Sequence, residues 1–267
     1  MFPILFRIGS HIVYSYTVSL VIGMIAGTWM AYHLGRTRLS TPSVVLDAGF
    51  WGLLGGLLGG RAGYVLSNWA YYVDHVDKWW ALWEGGLSWH GALIGGCTAM
   101  AVWTLARGWL GPPVPDWRDL FDVISPGVAL GGAFGWLGCL LSGCAFGAEA
   151  TGYAPPLSWL TARLPDVYGV EEVRFLTQPA MILWCLLLCL FLWGTWRQLP
   201  RGLSFALFLL LYALADFAIG FLRGDGSWRY GLWLSQWFAA GEMGAALLLG
   251  AYVLTRSGGS AVSKGST

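Results

Sequence analysis

The sequence predicts an all-α integral membrane protein with seven spanning helices, and three observations carry that prediction. Hydrophobic residues make up 57% of the chain and charged residues 11%, against roughly 25% charged in a typical soluble domain. Apolar stretches close to the ~20 residues that a helix needs to cross the hydrocarbon core recur along the chain. Runs such as Ile182 to Trp193 are continuous and lack the alternation of a transmembrane barrel, so helices remain as the way to satisfy the backbone in lipid.

The spans fall near 11–34, 43–67, 88–109, 121–146, 178–197, 202–222 and 231–255. The first is too long for a signal-peptide core and has no Ala-x-Ala-like exit, so it reads as a retained helix. The second carries Gly52, Gly56 and Gly60 beside Gly55, Gly59 and Gly63, two small stripes that permit close helix contact. Asn68 to Trp83 is rich in Trp and Tyr with scattered charge, which suits an amphipathic helix at headgroup level. The third span opens on His90 between glycine-rich neighbours. Cys139 and Cys144, read on one continuous helix, stand roughly 140° apart and do not make a zinc site. Cys185 and Cys189 share a face of the fifth span as small packing residues. Glu242, in the last span, is an acid for which the sequence shows no partner. The tail from Ser257 is Gly/Ser-rich and reads as disordered, leaving 1–256 as a single membrane domain.

Orientation follows from Lys and Arg in the connections. Arg36, Arg38, Arg107, Arg118, Arg197, Arg201, Arg256 and Lys264 lie on one side; Arg7, Lys78, Arg163, Arg174, Arg223 and Arg229 lie on the other. The second set sits in longer connections and among acids, which favours an N-terminus outside and a C-terminus in the cytoplasm. The connections 68–87 and 147–177 are then external. A net charge of +1 supports no nucleic-acid partner, and no residue pattern calls for a metal or cofactor.

Ionisable groups at membrane depth are costly and usually face a cavity, a substrate path or a partner. Arg61 emerges where the glycine stripes end. His90 has two readings: a hydrogen-bonded core histidine, or a base at a glycine-flanked helix start that a ligand can approach.

The strings Gly59-Gly60-Arg61-Ala62-Gly63-Tyr64-Val65-Leu66 and Gly85-Gly86-Leu87-Ser88-Trp89-His90-Gly91-Ala92-Leu93-Ile94-Gly95 closely resemble the prolipoprotein diacylglyceryl transferase family, seven-helix enzymes of the bacterial plasma membrane. Asp122 to Gly147 resembles the family's glycine-rich signature, Thr177-Gln178-Pro179 its Pro-Thr-Gln element, and Phe221-Leu222-Arg223-Gly224-Asp225 with Leu234-Ser235-Gln236 its last two motifs. The resemblance implies transfer of a diacylglyceryl group from phosphatidylglycerol, drawn from membrane lipid, to the lipobox cysteine at the signal peptide of a secreted prolipoprotein. Glycerol phosphate leaves.

The chain also departs from the family pattern. The signature Gly-Arg-x-Gly-Asn-Phe-x-Asn-Gly-Glu-x-x-Gly corresponds to the stretch from Gly135 to Gly147, with Trp136 for the arginine, Cys139 and Ser142 for the asparagines, and Cys144 for the glutamate. A branch resembling Gly-Cys-x-x-x-Gly-Cys-x-x-Gly shares these cysteines. In the sixth span, the family's arginine and glutamate correspond to Asp216 and Gly220. The resemblance implies His90 as the base for the thiol, Arg61 and Arg223 as phosphate ligands, Tyr16 as a donor to the phospholipid, and Tyr14 beside it. Asp216 either orients His90, pairs with an arginine, or forms an ion pair without chemistry. The alternatives are a divergent member that keeps the fold and a lipid cavity but has lost or changed the reaction, and a transporter. The absence of an inverted repeat or of paired broken helices counts against the last.

Overall fold

A computed structural model of the chain describes residues 2–9, 11–82, 85–110, 115–155, 157–166, 169–225 and 228–262. Its helices are α1 (Ser15–Arg38), α2 (Val44–Ser67), α3 (Trp69–Tyr72), α4 (Trp89–Leu110), α5 (Trp117–Ser142), α6 (Thr177–Thr195), α7 (Leu203–Gly220) and α8 (Leu234–Val262). A helix lies at each expected span. Among the described residues, five are long and apolar enough to cross a membrane: α1, α5, α6, α7 and the Leu234–Arg256 part of α8. In α2 and α4, glycines, Asp47, Arg61, His90 and Arg107 dilute the apolar content.

Three short hairpins were not expected. Strand β1 (Ile4–Ile8) pairs antiparallel with β2 (His11–Tyr14), so the first helix starts at Ser15 rather than at His11. Strands β3 (Thr161–Pro165) and β4 (Glu171–Phe175) pair within the connection after α5, and β5 (Trp228–Arg229) with β6 (Leu232–Trp233) before α8. Each is too short and too flanked by turn residues to give a period of its own. The expected amphipathic helix over Asn68 to Trp83 is also corrected: α3 is a single turn, followed by a 3-10 turn at Val76–Lys78. Trp83 and Glu84 lie outside the described residues. Helix α8 continues past Ser257, and 263–267 lie outside the described residues.

The chain divides into two compact units, Tyr32–Leu120 and Met1–Ala31 with Phe121–Thr267. The first is built on α2 and α4. A Cβ added at Gly59 would strike the Gly91 carbonyl, and one at Gly95 the Gly55 carbonyl. The glycine stripes are therefore spent on backbone-to-backbone packing, as small-residue seams are in lipid. Arg38 pairs with Asp119 at 2.6 Å in the same unit.

The larger unit packs α1 on α5 in the same manner, with Gly27 against the Gly127 carbonyl, and Ser19 Oγ donates to Phe134 O at 2.7 Å. Asp122, fully buried on α5, accepts from Gly202 N at 2.7 Å and Phe205 N at 3.0 Å. It satisfies two of the orphan donors at the start of α7. Arg174 of β4 is buried between Asp166, at 3.2 Å, and the Phe146 ring. It anchors the β3–β4 hairpin.

Candidate active site

In the smaller unit, Arg61 leaves α2 with only 2% of its surface exposed. Its Nε donates to Trp79 O at 2.9 Å, Nη2 to Lys78 O at 2.6 Å, and Nη1 to Gly85 O at 2.5 Å and Gly86 O at 3.2 Å. The faces of Tyr64 and Tyr72 lie 5.9 and 5.5 Å from the guanidinium carbon. A buried cation is tolerated only when so compensated. Gly85 and Gly86 take φ of +81° and +80°, the left-handed region that glycine enters without penalty. A Cβ at Gly86 would also stand 2.5 Å from the Tyr64 ring. The donors expected to meet a phosphate are thus engaged by main-chain carbonyls of the 78–86 segment.

That segment leads directly to His90. Ser88 N donates to Gly60 O at 2.9 Å, and Ser88 Oγ accepts from Gly91 N at 3.3 Å, so Ser88 caps α4. His90 follows in the first turn of α4, 6% exposed. An apolar groove of about 910 Å³ lies in this unit, lined among others by Trp51, Leu58, Leu66, Trp80, Val102 and Trp103.

In the larger unit, three sequence-distant motifs meet at one turn. Helix α5 stops at Ser142; Gly143 (φ +83°) and Ala145 (φ +54°) reverse the chain. Ala145 N donates to Asp225 Oδ2 at 2.9 Å, Thr177 Oγ1 donates to Ala145 O at 2.7 Å, and Gln178 Nε2 donates to Cys144 O at 3.0 Å. Asp225 in turn receives Nε of Arg223 at 2.9 Å and Nη2 at 3.2 Å, leaving Nη1 outside that pair. Burial alone would lower the Arg223 pKa; the carboxylates of Asp225 and Asp216 outweigh it and raise the guanidinium above its ordinary value.

The reversal also corrects the expectation for the cysteines. Cys144 lies beyond the end of α5, not on it, and its sulfur forms a disulfide with Cys139. The 140° separation applies only if the helix continues, and Gly143 ends it. Among the described residues, Cys97, Cys185 and Cys189 form no disulfide.

The remaining predicted residues are also in the larger unit. Trp136 is buried on α5 and donates from Nε1 to the Tyr212 hydroxyl at 3.2 Å. Asp216, one turn along α7 from Tyr212, is buried. Glu242 lies on α8. Tyr16 packs against Gly138 of the signature, where a Cβ would lie 2.9 Å from its ring. Tyr14 stands on β2, 46% exposed. Gln236 is fully buried, with its amide donating to Phe217 O and its carbonyl accepting from Trp233 N, both at 3.0 Å. Sequence reasoning placed it in a motif without a role. Asp225, Thr177 and Ser88 also lay inside quoted strings; helix-cap and turn chemistry was the signal available for Ser88.

The family model for prolipoprotein diacylglyceryl transferase matches residues 3–252. The chain belongs to the prolipoprotein diacylglyceryl transferase family. It is 30% identical over 295 aligned positions to the phosphatidylglycerol–prolipoprotein diacylglyceryl transferase of Burkholderia thailandensis, covering 96% of each chain. It is 29% identical over 230 to that of Acaryochloris marina, covering 84% of this chain and 80% of the relative. A second transferase of Clostridium perfringens is 27% identical over 223, covering 82% of each. The turn at Ala145 thus joins the signature, Thr-Gln and Arg-Gly-Asp segments of a family member.

Proposed function

We propose that this chain transfers a diacylglyceryl group from phosphatidylglycerol to the lipobox cysteine of a prolipoprotein at a bacterial plasma membrane. The observation that carries this reading is the family match along nearly the whole chain, with a named transferase aligned over 96% of both sequences. His90 takes the proton of the acceptor thiol. The thiolate forms a C–S bond to the glycerol carbon, the C–O bond to phosphate breaks, and glycerol phosphate departs. Arg223 stabilises the leaving phosphate through the edge outside its Asp225 pair. Tyr16 donates to the phospholipid and Tyr14 lines its approach. Seven helices span the bilayer, with the N-terminus outside and the C-terminus cytoplasmic, and 1–256 acts as one membrane domain.

The test is reconstitution: purified protein, phosphatidylglycerol vesicles and a lipobox peptide, with thioether product read by mass. Product formation that His90→Ala removes is the expected result. Turnover that survives His90→Ala sinks the assigned base.

A second reading is favoured by a specific observation. Trp136 and Asp216 stand where the resemblance expects arginines, and both belong to the neighbourhood of Tyr212. In this reading the chain binds lipid but has lost or changed the reaction. Failure to complement a transferase-depleted bacterium, with normal accumulation in its membrane, selects it.

A further inference from the structure

We infer that Arg61 is a positioning residue whose bonds to the carbonyls of Lys78, Trp79, Gly85 and Gly86 fix the start of α4, and with it His90, in place. The inference rests on the assignment of His90 as the base. Its geometric part stands alone: one guanidinium ties carbonyls at Lys78 and Trp79 to carbonyls at Gly85 and Gly86. The two strings that mark the family here are therefore two halves of one device. The first supplies the cation, and the second supplies consecutive left-handed glycines whose carbonyls reach it.

The connection to His90 is short. Gly86 is followed by Leu87 and Ser88, whose amide is bonded back to Gly60 O, the residue before Arg61. Arg61 and Gly60 thus grip the chain on either side of Leu87, and α4 begins at the next residue, Trp89. A lysine cannot replace this grip. Its ammonium is a point charge with three donors, whereas the planar fork spans acceptors on both sides of the segment at once. Misplacing a catalytic group by about 1 Å can cost about 10²-fold in rate.

The experiment compares wild type, Arg61→Lys, Gly86→Ala and the double variant in phosphatidylglycerol–detergent micelles with a lipobox peptide. Each single change is expected to lower kcat about tenfold to a hundredfold while leaving KM for phosphatidylglycerol within about threefold. The double variant is expected to be no slower than the slower single, because both changes release the same segment. A raised KM with kcat retained, or losses that multiply, overturns the inference, since Arg61 would then act on lipid or independently of the glycine carbonyls.

A second readout needs no turnover, so it separates this inference from the transferase reading. Tryptic cleavage after Lys78, followed by mass spectrometry, is expected to accelerate in all three variants. If Arg61→Lys does not accumulate, Gly85→Ala serves instead. It places a methyl in open space and strains only the backbone. Cleavage as slow as in wild type overturns the inference whatever the activity.

Discussion

The side chain of Gln236 occupies the volume that any side chain at Gly220 would need: a Cβ there would lie 2.6 Å from Gln236 Cγ and 3.0 Å from its Nε2. Position 220 is where the resemblance places a glutamate. The loss of that acid is therefore coupled to a fully buried amide that bonds α7 to the start of α8.

Gly220→Glu is accordingly expected to destabilise rather than restore. Overpacking of this kind costs about 1–3 kcal/mol, visible as a lower midpoint in tryptophan-fluorescence melting. Adding Gln236→Ala should recover part of the loss. A single variant as stable as wild type would show that Gln236 yields freely.

His90→Ala should abolish thioether formation while leaving the melting midpoint within a degree or two. Removing a general base takes away about 10²–10⁴-fold. A variant that loses activity and the folded state together would not separate base from core residue, so His90→Gln, which keeps a polar side chain, is measured beside it and is expected to be equally inactive.

The Cys139–Cys144 disulfide should protect both residues from alkylation until reductant is added. Cys144→Ser should lower stability by about 2 kcal/mol on the loop-entropy account of so short a closure. Alkylation of the pair without reductant in intact membranes would show that the thiols are reduced in the cell.

Trp136→Phe keeps an aromatic ring but deletes the donor to Tyr212 and leaves a small cavity at a buried position. The lost hydrogen bond costs about 1 kcal/mol, and the lost volume adds to it. Trp136→Arg tests the chemistry instead: activity raised or unchanged fits the transferase, whereas a sharp fall shows that the Trp136–Tyr212 contact is needed by this chain.

Cysteine labelling at Asp77→Cys and Arg201→Cys should report opposite faces of the membrane, with Asp77 outside. Reaction of both from one side contradicts the orientation.

The helices were legible because apolar content and length alone locate them, and each expected span contains one. Their ends were less so. The first helix loses His11–Tyr14 to a hairpin whose partner strand is offset in sequence, and α5 stops at Ser142 because Gly143 and Ala145 adopt left-handed conformations, which composition does not announce. The same difference decided the cysteines, whose angular separation was sound for a helix and irrelevant to a turn. At the site, motif order identified Arg61, His90 and Arg223. It did not reveal that Arg61 bonds to carbonyls or that Arg223 is paired with its own near neighbour Asp225, because an arginine's partners depend on where backbone carbonyls point. Glu242 could not be linked to Tyr212 from one sequence, since it lies on α8 and Tyr212 on α7; Asp216, four residues from Tyr212 on the same helix, could have been.

At the centre of the seam between α2 and α4, glycine backbone meets glycine backbone at Gly55, Gly59, Gly91 and Gly95. Ordinary helix pairs absorb small sequence changes by swapping rotamers; these four glycines have none to swap. It behaves as a vernier. Placing any side chain at Gly55, Gly59, Gly91 or Gly95 would set its Cβ within 2.5 Å of a facing backbone carbonyl, so the close approach tolerates only glycine there. The distance along the seam from Arg61 to Ser88 is thereby set by the backbone itself, and a substitution many residues away from His90 can change turnover through nothing more than the spacing of two helices.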